Sequence, residues 1–583
     1  MIDTVQQRGF GAPRPVPKQG GRGLVTVLNF VCKSHTRAVA FLIICGALFF
    51  LPGLFNIPPT DRDESRFAQA SKQMVETGDP VDIRFQDEVR YKKPVGIYWL
   101  QAAVVQTASK LGLQRAPIRI WLYRIPSFAG GVGAVLLTYW AALAFVTRRG
   151  AVLAALAMCS CVMLGIEARL AKTDAVLLFT TTAVMGAMAR VYLSWQRGEG
   201  PRRTWMDAWA IPAIFWSAVA ASILVKGPLI LMFAGLTILA LAILDRSLEW
   251  VWRLRPITGI FWVVLIALPW FIAIYIKSGD SFFADSLGGD MFNKIAKPQE
   301  AHGAPPGYYF VLFWLTFWPG SALAAMATPA VWRAKREPGA QFLLAWVIPA
   351  WIVFELVMTK LPHYVLPLYP AIAILIVGVL ERRVLSRAPW LVRGTSWWFV
   401  VPAILTVASV ILAIVMLHQP VFAAWPFAAA AMIFGLFAWW MYDEHRAERS
   451  LLNAVAASWA MGVCLWGIVM PSLTPLFPSV EIARALRNVE CVGPRAAAAG
   501  FGEPSLVFMV GTQTLLTNGS GAADFLQQGS CRFALVEGRE ERAFAQRAET
   551  IGLHYAITAR IDGYNYSIGK PVSIAIFRSD DAQ

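Results

Sequence analysis

Apolar segments of roughly 20 residues recur along most of the chain, and a helix of that length spans a lipid bilayer. The first segment covers residues 38–55. The later segments are residues 124–146, 151–168, 174–195, 208–225, 228–245, 257–277, 307–328, 340–358, 364–380, 397–417, 422–441 and 452–471. The pattern predicts a polytopic α-helical membrane protein with about 13 transmembrane helices.

The composition agrees with this pattern. Of the 583 residues, 57% are hydrophobic and 15% are charged. The net charge of +16 does not indicate nucleic-acid binding, because lysine and arginine lie mostly in short loops, as the positive-inside rule predicts. Residues 1–37 are basic and rich in glycine and proline, so we interpret them as a disordered cytoplasmic tail. No small-residue cleavage site follows the first apolar segment, which favours a retained helix over a signal peptide.

The loop charges predict the topology. Residues 57–123 form a long first outer loop, in which the short apolar stretch 98–111 lies along the membrane surface without crossing it. With that stretch excluded, the basic loops fall on the inner side and the odd number of spans places the chain's end outside. The predicted domains are the tail 1–37, the membrane domain 38–476 and a periplasmic domain 477–583.

The outer domain has the pattern of a small α/β domain. Helices are predicted at 480–489 and 540–551, strands at 505–510 and 532–536, and a hairpin at 555–561 and 572–577 that turns at Asp562-Gly563. Cys491 and Cys531 are the cysteines outside the membrane part. In an oxidising compartment they form a bridge or remain two unpaired thiols, and the sequence leaves both outcomes open.

A polar stretch, residues 59–68, follows the first apolar segment and contains Asp61, Asp63 and Glu64. Asp61 and Glu64 have the spacing of a capping box at a helix N-terminus. Asp63 shares a helical face with apolar residues such as Phe67, so we expect it on a buried face. A carboxylate buried near the bilayer surface favours a chemical role.

The outer loops hold more cations than the positive-inside rule predicts. These loops contain Arg90, Lys92 and Lys93; Glu167, Arg169, Lys172 and Asp174; Lys226; Lys277; and Lys360, His363 and Tyr364. Each lysine alone is explained by a side chain that extends to the membrane interface. Lysines from five separate segments on one face instead predict a pocket for a phosphate group, with carboxylates nearby.

The predicted pocket restricts the chemistry. The chain has no phosphate-binding P-loop and no dinucleotide fingerprint, and an outward-facing enzyme has no access to cytoplasmic nucleotide sugars. An activated substrate must then already be in the membrane, as a lipid phosphate is. Cations would stabilise the charge that the leaving phosphate gains, and a carboxylate would accept the proton of an attacking hydroxyl.

The motifs around these residues resemble those of the bacterial lipid A aminoarabinose transferase family. That family belongs to the GT-C glycosyltransferases, which include the protein O-mannosyltransferases. The matching motifs are Asp63-Glu-Ser-Arg-Phe-Ala, Arg90-Tyr-Lys-Lys-Pro, Thr173-Asp174, Lys226-Gly-Pro, His302 before Tyr308-Tyr309, and Lys360-Leu-Pro-His-Tyr-Val-Leu-Pro. The resemblance implies a GT-C fold for residues 38–476 and an inverting transfer of a sugar from a polyprenyl phosphate to a lipid A, glycolipid or glycan acceptor.

The resemblance also assigns roles to residues of this chain. Asp63, Asp174 and Glu64 are expected to be catalytic. The donor phosphate is expected to contact Lys93, Arg66, Lys226, Lys360, Tyr364 and Lys92. His302 matches a residue that holds a divalent metal ion together with a glutamate, but Lys92 stands where that glutamate is usual. A cation in place of a carboxylate ligand argues against a metal site and favours a different sugar, such as an acidic one.

Other functional classes remain open at this point. A lipid or sugar transporter would also be polytopic, but we find neither internal repeats nor charges near the middle of the spans. A sensor or structural protein would explain the outer domain but not the lysines. We expect a monomer in the bacterial inner membrane that faces the periplasm with its active site. Its partners would be the lipid-linked sugar, the acceptor and membrane lipids, without nucleic acid.

Overall fold

A computed structural model describes residues 23–200, 205–286, 303–443, 446–489, 491 and 493–579, with the backbone alone at 205–207. The helices are α1 Leu24–Val31, α2 His35–Phe50, α3 Asp63–Thr77, α4 Gly96–Lys110, α5 Ile120–Ala142, α6 Arg148–Cys159, α7 Val162–Glu167, α8 Asp174–Gln196, α9 Trp205–Lys226, α10 Leu229–Asp245, α11 Glu249–Trp252, α12 Pro256–Ser278, α13 Ser281–Phe283, α14 Tyr308–Thr316, α15 Gly320–Arg333, α16 Pro338–Leu356, α17 Tyr369–Arg382, α18 Pro389–Ser396, α19 Val401–Leu417, α20 Trp425–Trp440, α21 Ala447–Gly462, α22 Met470–Ser472, α23 Pro478–Arg487, α24 Pro504–Val510, α25 Gly519–Gln527 and α26 Glu541–Thr550. The strands are β1 Arg84–Phe85, β2 Glu88–Val89, β3 Arg495–Ala499, β4 Leu515–Thr517, β5 Arg532–Glu537, β6 Tyr555–Asn565 and β7 Lys570–Ser579.

Within the described residues, nine helical segments are long and apolar enough to cross a membrane. Two shorter apolar helices, α2 and α10, correspond to two more of the predicted spans. The predicted spans 151–168 and 307–328 are each divided into two helices, α6 with α7 and α14 with α15. The polytopic helical architecture is confirmed, and the exact number of thirteen crossings stays a prediction.

The first outer loop contains two helices and a small hairpin. Helix α4 has 15 residues, so it is about 22 Å long and shorter than the ~30 Å hydrocarbon core of a bilayer. It packs against α3, where Ser71 donates a hydrogen bond to Gln101 at 2.6 Å. The length of α4 agrees with a helix that does not cross the membrane. The position of α4 along the membrane surface stays a prediction.

The N-terminal part differs from the predicted disordered tail. Residues 1–22 lie outside the described residues, but Leu24–Val31 form helix α1. Val25, Leu28 and Val31 are buried against the main membrane core, because apolar side chains three residues apart share one face of a helix. The predicted tail therefore contains an ordered amphipathic helix, which Lys33 and Arg37 follow.

Close packing between α5 and α8 positions the outer end of α8. Gly130 of α5 lies against the α8 backbone, and a Cβ atom there would be 3.0 Å from the Cα and N atoms of Val176. A side chain at this position would push the two helices apart. Asp174, two residues before Val176, is held in place by this contact.

The C-terminal domain contains a five-stranded sheet in the order β4-β3-β5-β7-β6. Strand β3 runs parallel to β4 and β5, whereas β7 runs antiparallel to β5 and β6. The α/β architecture, the helices α23 and α26 and the strand β5 are as predicted. The structure joins Cys491 to Cys531, with their Cα atoms 5.7 Å apart, across a sequence separation of 40 residues.

Two predictions for this domain are wrong. Residues 504–510 form helix α24 instead of a strand, and Pro504 occupies a position in its first turn where proline fits a helix. The long hairpin β6–β7 turns at residues 566–569, and Asp562-Gly563 lies within β6 paired with Ser573 and Val572. Strands β3 and β4 and helix α25 were not predicted, since their small or short apolar runs give no clear period.

Candidate active site

Two carboxylates, two lysines and a histidine meet where four helical segments converge: α7, α8, α9 and the short 3-10 helix Pro362–Leu368. They are Glu167, Lys172, Asp174, Lys226 and His363, named here the charge cluster. The Lys172 Nζ atom lies 3.4 Å from Glu167 Oε1 and 3.9 Å from Asp174 Oδ2. Lys226 Nζ donates to Asp174 Oδ1. The two ring nitrogens of His363 each lie 3.5 Å from a carboxylate oxygen, Nδ1 from Glu167 and Nε2 from Asp174.

The helix ends explain why these charges are tolerated. Asp174 is the first residue of α8, where the helix dipole favours a negative charge. Lys226 is the last residue of α9, where the dipole favours a positive charge, and Gly227 with φ +71° then turns the chain. Both side chains are buried, with 4% and 9% of their surface exposed, so each compensates the other's charge.

Asp63 lies at the edge of the charge cluster and is exposed to solvent. The prediction that it lies on the buried face of α3 is wrong, because it is the first residue of that helix and Glu64 occupies the buried side instead. Burial alone would lower the pKa of Lys172, but the negative charges of Glu167, Asp174 and Asp63 raise it. Asp63 is therefore close enough to the charge cluster to act on it electrostatically.

Glu64 forms a buried ion pair with Arg124. Its two oxygens accept five hydrogen bonds, two from Thr60, two from Arg124 at 2.7 and 3.0 Å, and one from the backbone N–H of Ala171. Burial alone would raise the pKa of Glu64, but the charge and hydrogen bonds of Arg124 lower it overall. This carboxylate is fully engaged in holding the loop, which is the arrangement of a positioning residue.

Arg124 connects the first outer loop to the membrane domain. Its guanidinium also donates to the backbone carbonyls of Leu54, Ile57 and Pro58, at 2.7–3.0 Å. Only 1% of its side chain is exposed. The segment that leads from α2 to Asp63 is thus fixed by one buried side chain.

The capping box predicted for Asp61 and Glu64 is wrong. Arg62 stands at the N-cap position of α3 with φ 64° and makes no capping hydrogen bond. Asp61 instead accepts the backbone N–H of Ser505 at 3.0 Å, so its carboxylate binds the C-terminal domain. Burial raises the pKa of Asp61 to about 6, and the nearby charge of Glu503 adds to the shift while the hydrogen bond of Ser505 opposes it.

The tip of the β6–β7 hairpin contacts the residues directly before Asp63. Tyr566 accepts the backbone N–H of Asp61, and the carbonyl of Ser567 accepts a hydrogen bond from Arg62 at 2.5 Å. On the far side of α3, Lys72 donates to the carbonyl of Phe508 at 3.1 Å. The C-terminal domain therefore supports the left-handed turn at Arg62 that presents Asp63.

Three of the predicted cations, Arg66, Lys92 and Lys93, lie on the first outer loop. Arg66, one helical turn after Asp63, is half-buried, and no hydrogen bond or ion pair to its side chain is found among the described residues. Lys93 is half-buried and Lys92 is exposed. Contact between these three cations and the donor phosphate stays a prediction.

Lys360 and Tyr364 are placed differently from each other. Lys360 is buried, and its ammonium donates to the carbonyls of Glu355 and Val357 at 3.0 and 2.5 Å, at the C-terminal end of α16. Its described contacts stabilise a helix end, where cations are favoured. The ring of Tyr364 lies 5.8 Å from Lys226 Nζ and so borders the charge cluster. His302, the predicted metal ligand, lies outside the described residues.

The structure also shows functional candidates to which the sequence assigned no individual role: Glu167, Lys172, His363 and Arg124. The first three stand in the cation-rich outer loops, so their location was a signal, but their mutual contacts were not visible. Arg124 is an arginine at the outer end of a span, against the positive-inside rule. This departure from the positive-inside rule is the sequence feature that could have identified Arg124.

A metal ion does not fit the charge cluster as it stands. Ligand atoms of Glu167, Asp174 and His363 lie within 4.8 Å of one another, as a metal site requires. However, the ammonium groups of Lys172 and Lys226 contact the same two carboxylates and supply the compensating charge. A divalent cation would have to displace both lysines, so the donor set matches ammonium groups better than a metal.

Comparison with known proteins gives matches to a family model, to curated relatives and to solved structures. A family model described as dolichyl-phosphate-mannose-protein mannosyltransferase matches residues 93–280. An undecaprenyl phosphate-alpha-4-amino-4-deoxy-L-arabinose arabinosyl transferase of Aeromonas salmonicida is 29% identical over 336 residues, which are 56% of this chain and 58% of that protein. The one from Pseudomonas aeruginosa (strain UCBPP-PA14) is 25% identical over 452 residues, 75% of this chain and 77% of its own. The alignment thus spans a little over half of the Aeromonas relative and about three quarters of the Pseudomonas one.

The fold has a solved counterpart. Crystal structures of ArnT from Cupriavidus metallidurans, in the apo state and bound to undecaprenyl phosphate, are similar with a TM-score of 0.70 and 19% sequence identity. The similarity covers 93% of this chain and 98% of the ArnT chain. The chain therefore has the fold of ArnT, a GT-C membrane protein, and its sequence is similar to the curated arabinosyl transferases and to the mannosyltransferase family model, as the motifs indicated.

Proposed function

We propose that the protein moves a sugar from a polyprenyl phosphate to an acceptor in the outer leaflet or periplasm, with the charge cluster and Asp63 as its active site. The observation that carries this proposal is the pairing of largely buried lysines with buried carboxylates beside an exposed aspartate. Because the carboxylates hold these lysine side chains in place, their ammonium groups stay positioned to bind a phosphate. The exposed carboxylate is accessible to an acceptor.

The proposed reaction is a single displacement at the sugar's anomeric carbon. The acceptor oxygen forms a bond to that carbon on one face while the bond to the phosphate oxygen breaks on the other, which inverts the configuration. Asp63 accepts the proton of an attacking hydroxyl. If the acceptor is itself a phosphate, no proton needs to be removed, and Asp63 orients the acceptor and Lys172 instead.

The cations of the site stabilise the leaving group. As the bond to the sugar breaks, the polyprenyl phosphate gains negative charge, and groups placed where charge develops lower the barrier most. Lys226, Lys93 and Arg66 are the proposed contacts for this phosphate, with Tyr364 beside Lys226. Asp174 fixes Lys226, and Glu167 fixes Lys172, so the positive groups stay in position between turnovers.

The relatives suggest the chemical class of the donor. The curated relatives are named for undecaprenyl phosphate-alpha-4-amino-4-deoxy-L-arabinose, and the solved ArnT binds undecaprenyl phosphate. We propose a C55-type polyprenyl phosphate carrying a related sugar as donor, and lipid A or another envelope glycolipid as acceptor. Lys92, an exposed cation in the first outer loop, would favour a sugar that carries a negative charge.

Mass spectrometry of envelope lipids, from cells with and without the gene, tests this proposal. We expect a glycolipid that carries one extra sugar to disappear when the gene is deleted, while its lipid-linked donor accumulates. If deletion instead leaves the glycolipids unchanged, the proposed transfer is contradicted. Accumulation of the donor only on the inner leaflet would support the transporter alternative.

Topology is part of the proposal. We place the active site and the C-terminal domain on the periplasmic face of a bacterial inner membrane, in a monomer. Periplasmic and cytoplasmic reporters fused after Val146 and after Pro471 test the orientation. The expected result is a cytoplasmic signal from the first fusion and a periplasmic signal from the second, and a cytoplasmic signal after Pro471 would contradict it.

A further inference from the structure

A basic cavity lies far from the active site. It has a volume of about 290 Å³ and opens between α8, α9 and the connection from α11 to α12. Three of its lining residues are arginines, Arg190, Arg253 and Arg255, and among the described residues that line it none is acidic. Small and apolar side chains form the remaining wall, with Trp252 at the edge. The cavity is about ten times the volume of one water molecule, which leaves room for a phosphate ester.

Two of these arginines keep donors available. Arg253 donates to the carbonyl of Glu199 at 2.9 Å and reaches Ser194 Oγ at 3.5 Å. The Arg255 guanidinium lies 3.7 Å from the ring centre of Trp209. In the described part of the chain, no carboxylate forms an ion pair with Arg253 or Arg255. Guanidinium groups without a carboxylate partner are suited to bind a phosphate through two parallel hydrogen bonds.

The distance between the cavity and the active site places them at opposite surfaces of the membrane. Asp174 begins α8 at the charge cluster, and Ser194 lines the cavity twenty residues further along the same helix. At 1.5 Å per residue these points are about 30 Å apart, which is the thickness of the hydrocarbon core. The cavity is therefore at the level of lipid head groups on the side opposite the active site, which is the predicted cytoplasmic side.

The neighbouring surface fits lipid chains. The Trp252 side chain is 65% exposed, and tryptophan is favoured at the membrane interface. From there α12 presents an exposed apolar face, with Ile257 77% and Phe261 67% exposed. A lipid whose head group occupies the cavity could lay its acyl chains along this face.

We propose that this cavity binds the phosphate head group of an anionic phospholipid from the cytoplasmic leaflet, such as phosphatidylglycerol. Arg253 and Arg255 contact the phosphate, and α12 receives the chains. This site is separate from the donor site and independent of the proposed transfer. Its effect is to anchor the inner ends of α8, α9 and α12 to a charged lipid.

Thermal unfolding of the full-length protein in a neutral detergent tests the proposal. We expect short-chain phosphatidylglycerol to raise the unfolding temperature, since a ligand that binds the folded state stabilises it. Short-chain phosphatidylcholine and glycerol phosphate should not raise it. In the Arg253→Gln/Arg255→Gln variant the apparent affinity should fall by roughly ten- to thirtyfold, as expected for two lost basic contacts at a lipid surface.

A matched control is available on the same predicted face. Arg333 and Lys335 also stand beside an exposed tryptophan, Trp332, but do not line the cavity. The Arg333→Gln/Lys335→Gln variant should keep the full response to phosphatidylglycerol. If the Gln variant of the cavity does not fold, Arg253→Lys/Arg255→Lys replaces it, and a weaker response is expected because lysine lacks the paired donors.

Four results would overturn the proposal. An undiminished response in the cavity variants, or an equal loss in the control variant, would mean that the cavity is not where the lipid binds. An equal response to phosphatidylcholine would mean that the head-group charge is irrelevant. An equal response to glycerol phosphate alone would assign the cavity to a soluble phosphate ester instead of a lipid.

Discussion

Removing the Glu64 carboxylate should destabilise the protein rather than remove a proton acceptor. Glu64 accepts five hydrogen bonds, and Glu64→Ala leaves their donors on Thr60, Arg124 and Ala171 without an acceptor. The guanidinium of Arg124, 1% exposed, also loses its counter-charge. Breaking a buried ion pair by deleting one partner costs about 3–5 kcal/mol, and each unsatisfied buried donor costs about 1–3 kcal/mol, so we expect a loss of at least about 3 kcal/mol.

Tryptophan fluorescence during thermal unfolding in detergent measures this loss, and a transfer assay on the same samples measures activity. We expect both to fall in Glu64→Ala, with Glu64→Gln intermediate because its amide oxygen still accepts. A control is Glu337→Gln, which breaks the more exposed pair with Arg382 and should cost no more than about 1 kcal/mol. The reasoning is refuted if Glu64→Gln unfolds like the wild type and has lost its activity, since that result would make Glu64 a catalytic group.

Arg124 provides a second check on the same pair. If Glu64 and Arg124 act as one unit, the double variant Glu64→Gln/Arg124→Gln should cost clearly less than the sum of the two single variants. Arg124→Gln alone leaves a buried carboxylate and unpaired carbonyls at Leu54, Ile57 and Pro58, so it should be as severe as Glu64→Ala. Strictly additive losses would mean that the two side chains stabilise different features.

Three further outcomes are expected. Because folding raises the pKa of Asp61 to about 6, the free energy of unfolding should fall as pH rises from about 4 to 6 and stay level above pH 6. Asp61→Asn should abolish this fall. If the variant keeps the wild-type pH dependence of unfolding, the prediction is contradicted. Reduction of Cys491–Cys531 should destabilise the C-terminal domain by about 4 kcal/mol for a 40-residue loop; alkylation of both cysteines without prior reduction would show that the bridge is absent. Lys226→Met should raise KM for the lipid-linked donor at least about tenfold and leave Asp174 short of a partner; an unchanged KM would remove Lys226 from the phosphate contacts.

The membrane helices were the easiest part to predict from the sequence. A helix that crosses the bilayer needs about 20 apolar residues, so hydropathy alone locates the spans. The breaks at residues 160–161 and 317–319 were not predicted, because both lie inside continuous apolar segments. In the C-terminal domain the six-residue apolar run 505–510 fits a strand or a helix equally well, and its packing against α3 decides for the helix.

The active site was predictable in its residues and less so in its geometry. Lys226 was identified because outer loops are expected to be poor in lysine, and both Lys226 and Asp174 match motifs of the family that the chain resembles. The exposure of Asp63 depends on the hairpin tip at Ser567, about 500 residues away, and no local pattern contains that contact. The same holds for Arg124 and Glu64, which are 60 residues apart in the chain.

Asp63 is the residue on which the account most depends, and one assay tests it directly. Purified protein in liposomes is given a polyprenyl-phosphate sugar and a lipid acceptor, and the released polyprenyl phosphate is measured over time. We expect the wild type and the control Asp87→Asn, an exposed acid of the same loop, to release it at similar rates. Asp63→Asn should fold normally and be at least about 100-fold slower. A wild-type rate in Asp63→Asn, or no donor consumption by the wild type, would contradict the account.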